Sequence, residues 1–481
     1  MCRINLHKSS GPDGVPNWLL RDLAPLLSQP LAAIFNASLR EGYLPPIWKS
    51  AEVVPVPKVD APMSIQNDLR PISLLPTLAK VFESIVGNWL LSFIEPYLDN
   101  CQFGCRKSRS TAHALIAIIH TWMSSLDSHG SVRSVFVDFR KAFDLVDHNI
   151  LFTKLLKYNM PHFLLLWFAS YLSNRQQRVR LNGSVSTFRK LNGAMPQGSW
   201  LGPLAFLVLI DDLTTGCPVH KYVDDTTLSE LVPAKQFDTY ISTYLANLLS
   251  WASQNGMEVN TSKTKEMVLG SFTDQNLPLL SISSHAVDRV NSFKLLGVYI
   301  DSSLSWSTHI NHVVKKATTR LYFLKQLKRA GLAGNHLLYF YITVIRPVLE
   351  YCAPVWHYAL TKAQAESLEA VQKRALHIIF DLTREMPYEQ MLMYADLNSL
   401  SARREDLSRN LFLSILNPDS CLHGLLPSPR PIAITSRLRS SQTFPRVRTR
   451  TQRYCSFIQF GLNHYQHKTA ATVINTNSLT M

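Results

Sequence analysis

Apolar residues in the last third of the chain recur at helical spacing. Between residues 307 and 331 an apolar position appears every three or four residues, which predicts an amphipathic helix that ends at Gly331. Lysines and arginines share this stretch but mostly avoid its apolar side. The same spacing predicts further helices at Pro30–Glu41, Leu75–Leu91, Asp238–Asn255, Leu337–Leu349 and Lys362–Phe380. Gly256 is placed to cap the third of these.

Short runs of β-forming residues predict strands between the helices. Ser134–Val137 is one such run and ends directly at Asp138. A second pattern places β-forming residues on both sides of Asp224-Asp225, which predicts a tight hairpin with two carboxylates at its tip. Val53–Lys58 is strand-like but contains two prolines, so we expect an edge strand or a loop approach there.

Length and composition are typical of a globular protein. The chain has 481 residues, of which 46% are hydrophobic, and its length suggests about three compact units. Its longest apolar runs, such as Leu204–Ile210, are too short to span a membrane, and Met1–Lys8 lacks the apolar core of a signal peptide. Seven irregularly spaced cysteines indicate a reducing compartment. We therefore expect an intracellular protein, nuclear and cytoplasmic, without a membrane partner.

Net charge favours a polyanionic partner. The formal charge is +15, and a basic chain of this kind suits nucleic acid. The charge is concentrated after Asp419, where acidic residues are absent. The basic residues of this region are Arg430, Arg437, Arg439, Arg446, Arg448, Arg450, Arg453 and Lys468. A disordered solubilising tail and a nucleic-acid-binding segment both explain this composition.

The carboxylate pair at the predicted hairpin is the main chemical candidate. Two adjacent negative charges are costly to hold together unless a cation neutralises them, and Mg²⁺ prefers carboxylate oxygens. Asp138, at the end of a predicted strand, offers a third carboxylate. Three such groups can bridge two ions about 3.5–4 Å apart and so assist an in-line phosphoryl displacement. Spacing alone does not show that Asp138 and Asp224 meet.

Three sequence motifs in a fixed order supply that link. Val137–Asp144, Gly193–Pro203 and Tyr222–Asp225 resemble motifs A, B and C of reverse transcriptases. Additional matching segments are Lys8–Gly14, Trp48–Lys49, Val56–Lys58, Asp68–Leu74, Gln102–Gly104, Asn260–Lys265 and Phe293–Val298. The set is similar to the reverse transcriptase of non-LTR (LINE-type, jockey-like) retrotransposons, over about residues 8–380.

This resemblance implies an α+β fold with the right-hand architecture of polymerases. The implied parts are fingers with an N-terminal extension (1–130), a ferredoxin-like palm that carries the Asp-Asp hairpin and motifs A to E (131–300), a helical thumb (301–400) and a basic C-terminal region (401–481). Because Met1 lies almost directly before the first matching segment, we also expect a truncated reading frame that lacks the endonuclease.

The implied activity is RNA-directed DNA polymerisation. The resemblance makes Asp138, Asp224 and Asp225 ligands of two Mg²⁺ ions (or Mn²⁺), which activate the primer 3′-hydroxyl and neutralise the triphosphate. Asp225 could instead be chiefly structural. Lys263, with Lys265 as the alternative, resembles the lysine that protonates the leaving pyrophosphate. The implied partners are an RNA template, a DNA primer or nicked target DNA, and dNTPs.

Further residues match positions that hold the substrates. Phe143 lies where the family places an aromatic ring under the sugar, which would exclude a ribose 2′-hydroxyl. Lys58 and Arg70 resemble the residues that grip the triphosphate, and Gln197 and Gly198 lie in the motif B turn. The predicted nucleic-acid contacts are Arg175, Arg178, Arg180, Lys315 and Lys316. For the three arginines, alternating charges on an exposed strand would give the same pattern.

The chain departs from the family pattern in two motifs. Tyr222-Val223 precedes the paired acids where LINE-type enzymes more often have Phe-Ala or Ala-Ala, and this pair is closer to retroviral usage. Trp200 stands where a smaller aliphatic residue is usual. Neither change removes a group that the reaction needs. Two alternatives stay open: an RNA-dependent RNA polymerase, which Phe143 disfavours, and a catalytically silent or domesticated RNA-binding remnant. The sequence leaves the oligomeric state open.

Overall fold

The computed structural model describes residues 1–234, 238–270, 277–431 and 442–466. The chain divides into two compact units, each assembled from several segments. The first unit contains Met1–Cys105, Val137–Thr226 and Thr243–Lys263; the second contains Arg106–Phe136, Thr227–Ser242 and Thr264–Met481. The domain boundaries expected at 130, 300 and 400 stay a prediction.

The first unit mixes helices with a small sheet. Its helices are α1 (Asn17–Asp22), α2 (Ala24–Glu41), α3 (Ile65–Asp68), α4 (Thr77–Ile94), α6 (His148–Leu155), α7 (His162–Leu172), α8 (Leu201–Ile210) and most of α9 (Ile241–Gln254), with 3₁₀ turns at Pro46–Lys49 and Glu95–Tyr97. Its strands are β1 (Ser50–Pro57), β2 (Leu69–Leu74), β4 (Gln176–Leu181), β5 (Ser184–Val185), β6 (Arg189–Lys190) and β7 (Val219–Tyr222).

The proline-containing segment is not at the edge of its sheet. β1 lies between β2, to which it is antiparallel, and β4, to which it is parallel. The expectation of an edge strand is therefore wrong for the strand as a whole. The part of β1 that contains the prolines is nevertheless an edge. β4 pairs with Ser50–Val53 of β1, whereas Pro55 and Pro57 lie beyond this pairing and face β2 alone. A proline lacks the N–H that a second neighbour would require.

Aromatic side chains form the core between α2, α4 and α7. Phe35 stacks on Phe82 with ring centroids 4.2 Å apart. Trp167 meets Phe82 edge to face at 5.1 Å, and its indole N–H donates to the buried Ser38 hydroxyl. Such rings bury large areas in defined orientations, so this core fixes α2, α4 and α7 against one another.

The second unit combines a sheet with a helical region. Its strands are β3 (Ser131–Val137, whose last residue belongs to the first unit), β8 (Asp225–Val232, whose first two residues belong to the first unit), β9 (Lys265–Leu269), β10 (Ser281–Ile282), β11 (His285–Ala286), β12 (Asp288–Arg289), β13 (Ser292–Leu295) and β14 (Val298–Asp301). The order β12-β9-β3-β8 places β3 in the interior, antiparallel to β9. Every residue of β3 is buried.

The second unit also contains nine described helices. They are α5 (Thr111–Asp127), α10 (Ser307–Arg329), α11 (Gly334–Phe340), α12 (Arg346–Glu350), α13 (Ala353–Trp356), α14 (Lys362–Ile379), α15 (Tyr388–Tyr394), α16 (Leu400–Ile415) and α17 (Phe457–His464). A π-helical turn, Tyr341–Ile345, joins α11 to α12, and 3₁₀ turns occupy His357–Ala359, Asp381–Glu385, His423–Leu425 and Gln452–Tyr454. The apolar face predicted for α10 is buried, and Gly331 follows the helix with φ 83°.

The described part of the basic C-terminal region is packed within the second unit. The Arg450 backbone N–H donates to the Asp127 carboxylate at 2.8 Å, and the Arg453 guanidinium donates to the Ser303 carbonyl. The Ser456 hydroxyl lies 2.8 Å from the His120 ring. A free tail therefore does not describe residues 442–466. Arg437, Arg439 and Lys468 lie outside the described residues.

The α+β class is confirmed. One apolar segment bears on the expectation that the chain has no membrane-spanning helix. The segment Thr77–Tyr97, which contains α4, is long and apolar enough to cross a membrane by length and composition. This is weak support for a span, because the core helix of a globular unit passes the same test. Phe82, Val86 and Leu90 of α4 are buried in the first unit. The cellular compartment stays a prediction.

Candidate active site

The paired acids lie on the predicted hairpin. β7 ends at Tyr222, and Val223-Asp224 forms the turn that leads to Asp225, the first residue of β8. Val223 has φ 60°, a left-handed conformation that is unusual for a β-branched residue. The turn therefore stores strain immediately before the two carboxylates.

Asp138 follows β3 directly and is tied to a second segment of the first unit. Its carbonyl accepts a hydrogen bond from the Asn260 N–H at 2.7 Å, and Phe139 forms an isolated antiparallel bridge with Val259. The Arg140 N–H donates to the Glu258 carbonyl. Motif A and residues 258–260 thus form a short ladder that fixes the backbone of Asp138.

Electrostatics link the three carboxylates. Partial burial raises the pKa of Asp138 above its ordinary value, against the opposing effects of the Lys263 ammonium and a hydrogen bond from Asn260. Burial also raises the pKa of Asp224, and the negative charge of Asp138 acts in the same direction. Desolvation, then the charges of Asp224 and Asp138, raises the pKa of Asp225 to about 6. The structure therefore brings the three predicted acids into one electrostatic group.

The donor set suits a hard divalent cation, although the side chains are not arranged around one. Within the described ranges, no three His, Cys, Asp or Glu side chains form a group that could hold a metal ion. Three mutually repelling carboxylates are nevertheless the ligands that Mg²⁺ prefers. Burial is the main cause of the raised pKa values, and a cation would favour the charged carboxylates and offset the repulsion that adds to the shifts of Asp224 and Asp225.

The position of Lys263 distinguishes it from Lys265. The Lys263 ammonium is 3.9 Å from the Asp138 carboxylate, and its side chain is 68% exposed. Lys265 instead pairs with Asp288 at 2.5 Å within the second unit. Of the two candidates named from sequence, Lys263 is thus the one beside an acid of the group.

Motif B packs closely against β2. The Ser73 N–H donates to the Gln197 carbonyl at 2.8 Å, and the Gln197 side-chain amide donates to Asp144 at 3.3 Å. Gly198 has φ 136°, and a Cβ there would lie 2.5 Å from the Ser73 carbonyl oxygen. Only glycine allows this conformation together with this approach, which explains why the motif B turn needs it.

A buried glutamate anchors the start of α8. Glu83 of α4 accepts hydrogen bonds from the Ser199 hydroxyl at 2.7 Å and from the Trp200 N–H at 2.9 Å. The Trp200 ring fills the space above Gly87, where a Cβ would lie 1.9 Å from the ring. The unusual tryptophan of motif B is therefore matched by a glycine on α4. Neither Glu83 nor Gly87 was identified from sequence.

Phe143 and the triphosphate candidates all belong to the first unit. The Phe143 ring is half-buried and tilted against Phe206, with centroids 5.0 Å apart. Lys58 and Arg70 are exposed near the end of the β1–β2 pair, where Val56 is opposite Arg70. The substrate roles of these three residues stay predictions.

Arg175 does not fit its predicted role. Its side chain is 1% exposed, its guanidinium lies 4.6 Å from the centre of the Tyr171 ring, and one amino group donates to the Tyr171 carbonyl. A template contact requires a cation at the surface. The prediction for Arg175 is therefore wrong, because burial at the end of α7 overrides the apparent alternation of charges.

Arg178 and Arg180 share a single buried partner. Both pair with Glu52 of β1, Arg180 at 3.0 Å, and Arg178 also stacks on Phe188. Part of their charge is thus neutralised within the sheet. Lys315 and Lys316 are exposed on α10 in the second unit. The nucleic-acid roles of these four residues stay predictions.

Two further residues, missed from sequence, hold the hairpin. Lys221 is 1% exposed, and its ammonium binds Asp99 at 2.7 Å and the carbonyls of Ile210 and Asp211 at the end of α8. A cation at a helix C-terminus is favourable. Gln102 contacts the turn itself. In the sequence, Gln102 is marked by its place in the matching segment Gln102–Gly104.

Known family models match parts of this chain. The family model described as "Reverse transcriptase (RNA-dependent DNA polymerase)" matches residues 56–300. A model of the N-terminal region of alkylated DNA repair protein alkB homolog 8 matches residues 306–346 only, too little of the chain to show membership.

Curated relatives come from insect mobile elements. The chain is 28% identical over 427 residues to the "Probable RNA-directed DNA polymerase from transposon BS" of Drosophila melanogaster, with 85% of this chain and 46% of the relative covered. It is 27% identical over 396 residues to the "RNA-directed DNA polymerase from mobile element jockey" of the same species, with 79% and 43% covered. The chain thus spans about half the length of these relatives.

Solved structures with detectable similarity include apo telomerase from Candida tropicalis. The TM-score is 0.41 at 10% identity, with 83% of this chain and 72% of that chain covered. Telomerase from Candida albicans in complex with a telomeric RNA fragment gives a TM-score of 0.39 at 12% identity, with 80% and 69% covered. Similarity at this level supports no conclusion about this chain.

Proposed function

Because this chain belongs to the reverse transcriptase family, we propose that it is an RNA-directed DNA polymerase that adds dNTPs to a primer 3′-hydroxyl on an RNA template. The observation that supports this most directly is the electrostatic group of Asp138, Asp224 and Asp225, which joins the end of β3 to the hairpin turn. Asp138 lies 86 residues before Asp224 in the sequence, so the fold has to assemble this group.

Asp138, Asp224 and Asp225 would hold the two divalent cations that polymerisation requires once their side chains turn toward a cation. When bound, such ions supply a lowered pKa at the attacking hydroxyl and neutralise charge on the triphosphate. The chain's own contribution is a rigid frame. The ladder between Asp138 and residues 258–260 fixes one acid, and the β7–β8 turn fixes the other two.

Lys263 completes the acid–base chemistry of the proposed site. Its exposed ammonium beside Asp138 can approach a leaving pyrophosphate and donate a proton to it. Phe143, whose ring packs against Phe206, excludes a ribose 2′-hydroxyl in this proposal. Lys58 and Arg70 supply positive charge for the triphosphate, and the motif B turn at Gln197 and Gly198 contacts the nucleotide.

Primer extension tests the proposal. Purified protein is given an RNA template, a DNA primer, Mg²⁺ and either dNTPs or rNTPs, and product length is followed by gel electrophoresis. We expect extension with dNTPs. Asp138→Asn should reduce the rate at least about a hundredfold, since metal-assisted charge stabilisation contributes several kcal/mol.

The matched control is Asp22→Asn. Asp22 is exposed and pairs only with its neighbour Arg21 at 3.3 Å among the ion pairs described for it, and surface pairs of this kind contribute little. This variant should extend primers at the wild-type rate. Preference for rNTPs would indicate an RNA-dependent RNA polymerase, and folded protein that binds RNA without extension would indicate a silent remnant. Either result contradicts the proposal.

A further inference from the structure

The strained turn of the hairpin requires a partner. Val223 adopts φ 60°, where its branched Cβ crowds the backbone. Strained conformations of this type persist only when surrounding contacts over-determine them. Since Asp224 and Asp225 follow at once, whatever holds Val223 also determines the direction of the two carboxylates.

The segment 101–104 lies alongside β7 in the first unit. The Lys221 N–H donates to the Cys101 carbonyl and the Phe103 N–H donates to the Lys221 carbonyl, both at 2.8 Å. These bonds form a short parallel pairing between Gln102 and Lys221. Phe103 adds a stacked contact with His220. The segment is thereby fixed in register with the strand that enters the turn.

Gln102 reaches from this segment to both backbone groups of Val223. Its side-chain oxygen accepts from the Val223 N–H at 3.0 Å and from the Gly104 N–H at 2.9 Å. Its amide nitrogen lies 3.4 Å from the Val223 carbonyl, to which it donates. Gln102 is 1% exposed, so solvent cannot readily replace these bonds.

Gly104 allows this approach. A Cβ at Gly104 would lie 2.5 Å from both the Val223 nitrogen and its Cγ2 atom. Any larger residue would displace the turn from the segment. The glutamine and the glycine therefore act together: one makes the bonds and the other leaves the space for them.

We propose that Gln102 is a positioning residue that holds Val223 in its left-handed conformation and so orients Asp224 and Asp225 for nucleotide addition. The catalytic part of this inference rests on the proposed function. Gln102 does not itself touch the substrate in this scheme. It acts through the two peptide groups that flank Val223, the residue before the first acid of the turn.

The first test compares rates of primer extension by Gln102→Met, which keeps the length of the side chain but cannot form the three hydrogen bonds. We expect kcat to fall by at least about tenfold, with KM for dNTP changed less than about threefold, because orientation of the metal ligands governs the transition state more than nucleotide binding. An unchanged kcat would overturn the proposal.

The second test separates positioning from general loss of stability. Glycine adopts φ near 60° without strain, so Val223→Gly reduces the need for the glutamine. The factor by which Gln102→Met lowers kcat should shrink at least about threefold in the Val223→Gly background. An equal factor in both backgrounds would show that Gln102 does not act through the conformation of Val223.

A buried glutamine in the second unit provides the matched control. Gln372 is fully buried and bonds Tyr341, Tyr388 and the Asn398 carbonyl. Gln372→Met removes a comparable set of bonds, and it should lower the unfolding temperature without lowering kcat. If it lowers kcat as much as Gln102→Met does, the effect at Gln102 is one of stability and the proposal fails.

Hydrogen exchange provides a readout that does not depend on activity. The Val223 N–H is bonded to the Gln102 side chain, so peptides covering residues 219–226 should exchange faster in Gln102→Met than in the wild type. Unchanged exchange in these peptides would contradict the proposal that the Gln102 side chain holds Val223. A wild-type protein that extends no primer would refute the proposed function instead, and exchange alone would then decide whether Gln102 holds the turn.

Discussion

The contact between Gly87 of α4 and Trp200 of motif B can be tested by double substitution. Gly87, inside α4, faces the Trp200 ring, and a Cβ at position 87 would lie 1.9 Å from one ring carbon and 2.1 Å from another. Gly87→Ala should therefore force the indole to move. Overpacking of this kind costs about 1–3 kcal/mol. Alanine is favoured over glycine in a helix by about 1 kcal/mol, so the net loss should be about 1 kcal/mol.

The sign of the effect should reverse when the ring is removed. In a Trp200→Ala background the closest remaining atom is a Leu201 methyl carbon at 2.9 Å, the end of a flexible side chain. Gly87→Ala should then stabilise the protein by roughly 0.5–1 kcal/mol through helix propensity alone. The coupling energy between the two sites is thus about 2 kcal/mol, well above the error of additivity for distant sites.

Chemical denaturation of the four proteins measures this coupling. Wild type, both single variants and the double variant are unfolded in urea, and the free energies are compared at a common slope. If Gly87→Ala has the same effect in both backgrounds, Trp200 does not occupy the space above Gly87 and the packing described for motif B is incorrect.

Three further predictions concern protonation, cation binding and sugar selection. Burial lowers the pKa of His220 to about 4, so the unfolded state binds the proton more readily and stability is lost as pH falls below 6.5. Between about pH 7 and pH 4.5 the protonation of His220 should lower the free energy of unfolding by about 2 kcal/mol. Urea titrations should not find this loss in His220→Phe, whose ring can keep the stacking on Phe103. Protons compete with a cation for Asp225, because its pKa is raised to about 6. Mg²⁺ should therefore raise the unfolding temperature more at about pH 7.5 than at about pH 5. In Asp138→Asn most of this rise should be lost. Phe143→Ala should raise the relative rate of rNTP incorporation at least about tenfold in primer extension, because the ring that excludes the 2′-hydroxyl is gone.

Each of these has a clear contrary outcome. A His220→Phe protein with the wild-type loss of stability in acid would show that another group titrates there. A rise in unfolding temperature with Mg²⁺ that survives in Asp138→Asn would place the cation elsewhere. An unchanged preference for dNTPs in Phe143→Ala would mean that this ring does not select the sugar.

Local patterns in the sequence predicted several of the elements and pointed to the three acids as candidates. Helical spacing predicted α10 and α14 close to their observed bounds, Ser307–Arg329 and Lys362–Ile379. The β-forming residues around Asp224-Asp225 predicted the β7–β8 hairpin. These inferences succeed because periodicity and turn chemistry act between residues that are close in the chain.

The tertiary structure alone decided which of these residues have partners. It buried Arg175, which the alternating charges had predicted at the surface, and it placed Lys263 rather than Lys265 beside Asp138. It also brought Gln102 to Val223 across 121 positions of the chain. No local pattern encodes such a contact, because a side chain's hydrogen-bonding partner depends on how distant segments are packed and not on the spacing of its neighbours.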